Sequence, residues 1–99
     1  MLNIGCHLSS SKGYMNMLKE TECVGGNTFQ FFTRSPRGGQ AKTIDPDDAA
    51  LFCKESKEKG FALILAHAPY TLNPCAEKAY IREFAYNTML DDLKRMEFV

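Results

Sequence analysis

The sequence predicts an α/β fold built from three consecutive βα units with parallel strands, which is part of a (β/α)8 barrel. Two observations lead to this prediction. Short apolar segments rich in β-forming residues alternate with segments of helical periodicity along all 99 residues. Each βα pair also has about the length of one unit in an eight-unit barrel of about 250 residues. We therefore expect residues 1–99 to form a single portion of such a barrel.

The first unit begins with a short, mostly apolar strand over residues 2–6. Three serines at 9–11 follow, and serine is a preferred N-capping residue, so a helix is predicted from there to about Glu22. The pair Gly25 and Gly26 ends this unit. Packing statistics place the nearby apolar groups in the core, namely Met15, Met17 and Leu18 of this helix and Phe29, Phe31 and Phe32 of the next strand.

The second unit begins at residues 28–32, whose β-forming side chains predict a strand, and a turn-like segment follows at 35–39. Asp45 is a good N-cap and Pro46 suits the first helical position, so a second helix is predicted to run up to Gly60. Its narrow inward face is predicted to comprise Ala49, Phe52, Cys53 and Ser56.

The third unit begins at residues 61–66, six apolar residues typical of a strand that is buried on both faces. Pro69 lacks an amide donor and biases Ala68 toward extended geometry, so the strand is expected to stop near His67. A long helix follows Pro74. Its apolar positions recur at helical spacing and comprise Ile81, Phe84, Ala85, Met89, Leu93 and Met96.

The composition is that of an ordinary globular domain, and the formal net charge is zero. A field of the whole molecule that would hold nucleic acid or an anionic membrane is therefore excluded, and such binding would need a local patch. No apolar stretch reaches the roughly 18 residues of a membrane span. Four dispersed cysteines without a Cys-x-x-Cys pair, and an opening segment unlike a signal peptide, predict reduced thiols and a cytoplasmic location.

His67 is the strongest candidate for chemistry because it lies at the end of a predicted strand, where ligands bind in parallel α/β folds. A neutral imidazole there can bind zinc through one nitrogen, and the alternative is a hydrogen-bonded, half-buried histidine. His7 ends the first strand and could join it. Two histidines are too few for a zinc site, which takes three or four protein ligands, so most ligands would come from elsewhere.

The positive charges of the second unit are confined to one glycine-rich loop that contains Arg34, Arg37 and Lys42 and no acid. Guanidinium groups in such a loop can pair with phosphates or enter a groove, and the alternative is a solvated surface loop. Tyr70 follows Pro69 in a loop and could stack on a base or sugar, or simply pack at the rim.

Four ordered motifs resemble the amino-terminal part of the endonuclease IV family, in order and in spacing. They are residues 4–9 (IGCHLS), 26–30 (GNTFQ), 32–39 (FTRSPRGG) and 66–74 (AHAPYTLNP), and the resemblance extends to residues 91–95. The family comprises zinc-dependent apurinic/apyrimidinic endonucleases of base-excision repair on a xylose-isomerase-like TIM barrel. The resemblance implies that residues 1–99 are the amino-terminal portion of that barrel, and that its partner is double-stranded DNA with abasic sites, cut on the 5′ side of the lesion.

The resemblance implies roles for individual residues. It makes His67 one ligand of a three-zinc cluster whose other ligands come from later strands. It places Arg37 in a loop that enters DNA at the lesion, Tyr70 in a second DNA-contacting loop, and His7 near the site. We also predict that Arg34, a cation of the same loop, contacts DNA. Departures from the family pattern remove none of these residues: they are Cys6 for alanine, Lys12 for glycine and Ser35 for asparagine.

Two alternatives remain open at this point. The chain could be a truncated, non-catalytic fragment that binds DNA weakly, self-associates or pairs with a complementary chain, because a partial barrel leaves strand edges unpaired. It could also be a sugar isomerase or epimerase on the same fold. The basic loop argues against the second alternative, since a neutral sugar gives little reason for three cations.

Overall fold

The computed structural model describes residues 1–99 and contains three βα units in the predicted order. The elements are β1 (Gly5–His7), α1 (Tyr14–Cys23), β2 (Thr28–Phe32), α2 (Pro46–Glu58), β3 (Leu65–His67) and α3 (Ala79–Met96). The strands form one parallel sheet in the order β1-β2-β3. This α/β architecture, with neighbouring parallel strands joined through helices, is that of the first three units of a TIM barrel and confirms the predicted fold class.

The register of the sheet brings the carboxyl ends of all three strands to one edge. His7 of β1 pairs with Gln30 of β2, and Phe32 of β2 pairs with His67 of β3. Side chains alternate along a strand, so Gln30 and Phe32 share the sheet face opposite to Phe31. The strand register therefore brings the two histidines to the same edge and the same face.

The hydrophobic core lies on the helical side of β2. Phe29 and Phe31 are 2% and 1% exposed, and α1 and α2 cover them. The seven side chains of this cluster are Tyr14, Met17, Leu18, Phe29, Phe31, Ala49 and Phe52. The core prediction is confirmed for Met17, Leu18, Phe29 and Phe31, and Met15 packs at the edge of the cluster. Phe32 is only half-buried because it lies on the other face of the sheet.

The predicted start of α1 is wrong, because the serines at 9–11 do not cap it. The helix begins at Tyr14. Its N-cap residue is Gly13, which has no side chain that could cap the helix. Instead, the carboxylate of Asp48 accepts hydrogen bonds from the backbone amides of Tyr14 (2.7 Å) and Met15 (3.2 Å). The amides left unpaired at a helix start favour a nearby carboxylate, and here α2 supplies it.

The start of α2 is as predicted. The Asp45 side chain accepts from the amides of Asp47 (2.9 Å) and Asp48 (3.4 Å), and Pro46 occupies the first turn. Ala49 and Phe52 form its buried face, whereas Cys53 is exposed and Ser56 is half-buried, so the predicted inward face is correct only in its first half.

The outer strands differ from the prediction in position and burial. The paired segments are Gly5–His7 and Leu65–His67 instead of residues 2–6 and 61–66. Leu63 and Leu65 are 95% and 64% exposed, so the expectation of a strand buried on both faces is wrong. The reason is that β3 pairs with β2 alone, and no layer of this chain covers the face on which these leucines lie.

The inward face of α3 also differs from the prediction. Ala85 is buried as expected, but Phe84, Met89 and Leu93 are 46%, 41% and 60% exposed. The other buried residues of this helix are Thr88 and Asp92. Asp92 and Arg95 of this helix make polar contacts with residues 33, 34 and 42, described below. None of the helices combines the length and the apolar character required to cross a bilayer.

Candidate metal and nucleic-acid site at the strand ends

His67 ends β3 and is exposed at the carboxyl edge of the sheet. Its Nδ1 lies 2.6 Å from the carbonyl oxygen of Ala68. Because a carbonyl can only accept, Nδ1 carries the ring proton and the lone pair is left on Nε2. A backbone carbonyl in this position is the usual outer partner of a metal-binding histidine, so the tautomer of His67 suits a metal ligand.

His7 contacts β2 instead. Its Nδ1 lies 3.0 Å from the side-chain amide nitrogen of Gln30. The two imidazole centroids are 6.4 Å apart. The structure thus brings the two predicted histidines together, and the contact of His67 with Ala68 leaves its Nε2 lone pair free.

Phe32 lies between the two histidines. Its ring centroid is 4.8 Å from that of His7 and 4.8 Å from that of His67. Tyr70 packs edge-to-face against Phe32 at 5.3 Å and against His67 at 5.8 Å, yet 72% of Tyr70 is exposed. The four rings form a continuous aromatic row along the strand ends that leaves the tyrosine accessible to a partner molecule.

Arg37 is exposed in the β2–α2 loop (residues 33–45), and this loop touches the β3–α3 loop (residues 68–78). The amide of Tyr70 donates to the carbonyl oxygen of Pro36 at 2.8 Å. Gly38 has φ 91°, and a Cβ added there would lie 3.0 Å from Oγ1 of Thr71. The two loops predicted to contact DNA are therefore joined beside the aromatic row.

Arg34 lies in the same loop, but its guanidinium is directed into contacts within the chain. Nε donates to Asp92 at 2.8 Å, Nη2 forms an ion pair with Asp91, and Nη1 donates to the carbonyl oxygen of Gly39 at 3.1 Å. The side chain is only 8% exposed. Burial lowers the pKa of Arg34, but the hydrogen bonds to Asp92 and Asp91 outweigh this effect and raise the pKa overall. Its predicted role as a DNA contact stays a prediction.

The residues that hold the β2–α2 loop, Asp92 and Arg95, were not among the sequence-based candidates. Oδ1 of Asp92 accepts from Oγ1 of Thr33 at 2.7 Å as well as from Arg34. Arg95 donates to the carbonyl oxygens of Lys42 (2.7 Å) and Thr33 (3.1 Å). A signal was present in the sequence, since Asp92 follows Ala85 by seven residues and shares its helical face.

A cleft of about 840 Å³ opens next to the aromatic row, between the loops that follow β1 and β2. It is lined by His7 and Arg34 but not by His67, Arg37 or Tyr70. Those three side chains lie on an open surface, an arrangement that suits a large partner better than an enclosed small molecule. No three His, Cys, Asp or Glu side chains of residues 1–99 converge as a metal site.

The comparisons with known proteins agree with the resemblance seen in the motifs. The chain is 60% identical over 99 residues to a probable endonuclease 4 of Clostridium botulinum (strain Alaska E43 / Type E3), a match that covers all of this chain and 36% of that protein. It is 58% identical over 99 residues to a probable endonuclease 4 of Clostridium beijerinckii, again over 36% of that protein. A probable endonuclease 4 of Akkermansia muciniphila is 52% identical over 94 residues, which are 95% of this chain and 34% of that protein.

A scan against protein-family models found no match. The chain spans about a third of the length of the curated relatives that it matches, and the matched portion is their amino-terminal part. The matched region spans all three βα units. Over the portion that it spans, the chain therefore belongs to the endonuclease 4 family and corresponds to the amino-terminal part of its members.

Proposed function

We propose that residues 1–99 form a single portion of a TIM-barrel endonuclease that cuts double-stranded DNA on the 5′ side of abasic sites and uses zinc. The relatives' name, probable endonuclease 4, supports the nuclease activity. The observation that carries the rest is the grouping of an exposed strand-end histidine, an exposed tyrosine and an arginine-bearing loop on one open edge of the sheet. Substrates of parallel α/β proteins bind at this edge.

His67 is the residue of this chain that would hold the metal, through the Nε2 lone pair that its tautomer leaves free. When bound, zinc ions supply Lewis-acid stabilisation of the phosphodiester and lower the pKa of water. The backbone carbonyl of Ala68 keeps the His67 ring in one orientation, and the Phe32 ring packs beside it at a tilted angle of 54°. These contacts pre-organise the ligand before the metal arrives.

Arg37 and Tyr70 are proposed to contact DNA. Both side chains are exposed, and their loops are joined through the hydrogen bond between Tyr70 and Pro36. A guanidinium can pair with phosphates in a bidentate manner or enter a groove, and an exposed tyrosine ring can stack on a base or sugar. Extruding a nucleotide costs least where the base is missing, so side chains that fill the distorted duplex would favour abasic sites.

The substitution Arg37→Ala is expected to weaken binding of the protein to duplex DNA with one abasic site about tenfold, since one good side-chain contact contributes about 1–3 kcal/mol. The zinc content is expected to stay unchanged, because the hydrogen bond that orients His67 is made by Ala68 and not by Arg37. A gel-shift titration with a duplex containing a tetrahydrofuran abasic analogue measures the affinity, and elemental analysis measures the zinc.

The matched control is Lys54→Ala, which removes one positive charge from the exposed surface of α2. A nonspecific charge effect would weaken binding equally in both variants. Equal affinities of the wild type and the Arg37→Ala variant for the abasic duplex would contradict the proposed contact.

The substitution His67→Asn is expected to reduce the zinc affinity of the protein by a factor on the order of 100 or more. Even changes to residues that only contact a metal ligand lower the metal affinity about 10- to 100-fold. Competition with a chromophoric chelator measures this affinity without any activity assay. The control His7→Asn removes an imidazole whose centroid lies 6.4 Å from that of His67 and whose Nδ1 contacts Gln30. An unchanged zinc affinity in the His67→Asn variant would refute the assignment.

A further inference from the structure

We propose that Asp92 of α3 is a positioning residue that holds the β2–α2 loop in the shape that presents Arg37. The inference rests on the proposed function in one respect, namely that the loop contacts DNA. It adds a role for α3, a helix that carries none of the predicted contact residues. The carboxyl-terminal part of α3 acts as a clamp on the loop through Asp92 and Arg95.

The first part of the clamp is at the start of the loop. Asp92 is 7% exposed, and its Oδ1 accepts two hydrogen bonds, from Oγ1 of Thr33 and from Nε of Arg34. A buried carboxylate with two donors, one of them charged, has a strongly preferred geometry. Asp92 therefore fixes the two residues at which the chain leaves β2.

The second part of the clamp spans the rest of the loop. Arg95 lies one turn after Asp92 and donates to the carbonyl oxygens of Thr33 and Lys42, which lie at opposite ends of the loop. Arg34 donates in turn to the carbonyl oxygen of Gly39. Between these points, one backbone hydrogen bond, from Gly38 to Ser35, lies within the loop itself.

The loop needs such external contacts because of its own sequence. Gly38 and Gly39 have φ angles of 91° and 103°, a region that glycine enters easily and other residues avoid. Two adjacent glycines give this segment high conformational entropy in the absence of contacts. Since Arg37 directly precedes them, the position of its side chain depends on what holds the backbone on either side.

The substitution Asp92→Asn tests the clamp, because it preserves the shape of the side chain but removes its charge and one acceptor. In this variant, we expect tryptic cleavage after Arg37 under native conditions to become about tenfold faster. The reason is that the rate of proteolysis follows the fraction of molecules in which the loop is detached from α3. We expect the affinity for the abasic duplex to fall about tenfold as well. Mass spectrometry of the earliest fragments locates the cleavage, and circular dichroism monitors the fold.

Asp91→Asn is the matched control, because Asp91 also pairs with Arg34 but is 56% exposed. A more exposed ion pair contributes less, so the cleavage rate is expected to change about twofold or less. If Asp92→Asn does not fold, Arg34→Gln breaks the same ion pair from the loop side and is measured in the same way. A tryptic cleavage rate after Arg37 that stays at the wild-type value in the folded variant would overturn the clamp.

The two readouts separate this inference from the proposed function. Faster cleavage with unchanged DNA affinity would support the clamp and overturn the role of the loop in DNA binding. Unchanged cleavage in Asp92→Asn, together with weakened DNA binding in Arg37→Ala, would overturn the clamp and leave the proposed function standing. A general loss of stability would accelerate cleavage at all sites, whereas the clamp predicts acceleration after Arg37 and not within α1 or α2.

Discussion

Replacing Phe31 by alanine is expected to lower the free energy of unfolding by about 3–5 kcal/mol, the range found for large aromatic side chains in cores. Phe31 is 1% exposed at the centre of the helical side of the sheet. Its ring packs edge-to-face against Tyr14 at 5.5 Å and lies 5.8 Å from Phe29. Since small domains have only about 5–15 kcal/mol of total stability, this loss is a large fraction of it.

Urea titration followed by far-ultraviolet circular dichroism measures this effect. The matched control is Phe84→Ala, which removes the same ring from a position on α3 that is 46% exposed. Its effect is expected to be below about 1 kcal/mol, because little buried apolar surface is lost. Equal urea midpoints for the two variants would show that the core does not lie where the structure places it.

Replacing Gly5 by alanine is expected to separate β1 from the sheet and to cost about 3 kcal/mol. A Cβ at this position would collide with the carbonyl oxygen of Thr28, the residue that pairs with Gly5. The obstacle is backbone at the first pair of the ladder, so no side-chain rotation can relieve it. The displaced strand would take His7 away from Phe32 and from the candidate site.

Amide hydrogen exchange measures this detachment directly. The amide of Leu8 donates to Gln30 at 2.8 Å and the amide of Asn27 donates to Ile4 at 2.9 Å, and both are expected to exchange faster in the Gly5→Ala variant. Cys6→Ala, one residue away on the same strand, changes an exposed side chain and is expected to leave both amides protected. Wild-type protection of the Leu8 amide in the Gly5→Ala variant would contradict the close approach of the two strands.

Features that depend on neighbouring residues were predictable. The start of α2 follows from the Asp45 cap and Pro46, which act within one turn. The burial of Phe29 and Phe31 follows from the alternation along β2, and the end of β3 follows from Pro69. The grouping of His7 with His67 follows from a general property of parallel sheets, whose carboxyl ends lie at one edge.

Features that depend on distant residues were not predictable. Serine is a good cap, but α1 takes its carboxylate from Asp48, 34 residues away from Tyr14. The apolar periodicity of α3 points to Phe84 and Leu93, yet the helix turns Asp92 toward the β2–α2 loop, where it meets Thr33 and Arg34. Likewise, a basic loop read along the chain gives no sign that Arg34 is paired with acids 57 and 58 residues later.

The candidate site shows the same division. Residue types and strand-end positions were enough to select His67, Arg37 and Tyr70 as candidates, and the resemblance to the endonuclease IV family assigned roles to them. The tautomer of His67, the contact of Phe32 with both histidines and the clamp by Asp92 required the tertiary structure. Their roles in metal and DNA binding stay predictions, as does self-association or pairing with a complementary chain.

The sequence by itself determined the order of the βα units, the core strand and the edge at which chemistry is expected, because caps, prolines and side-chain alternation act over a few residues. The tertiary structure alone decided which face of α3 turns inward and which cation of the β2–α2 loop, Arg34, is buried. Those choices depend on the burial of one carboxylate, Asp92, against donors about 60 residues earlier in the chain. A buried charge is stable only when the fold places partners next to it. Residues near Asp92 in the sequence do not show which distant residues those partners are.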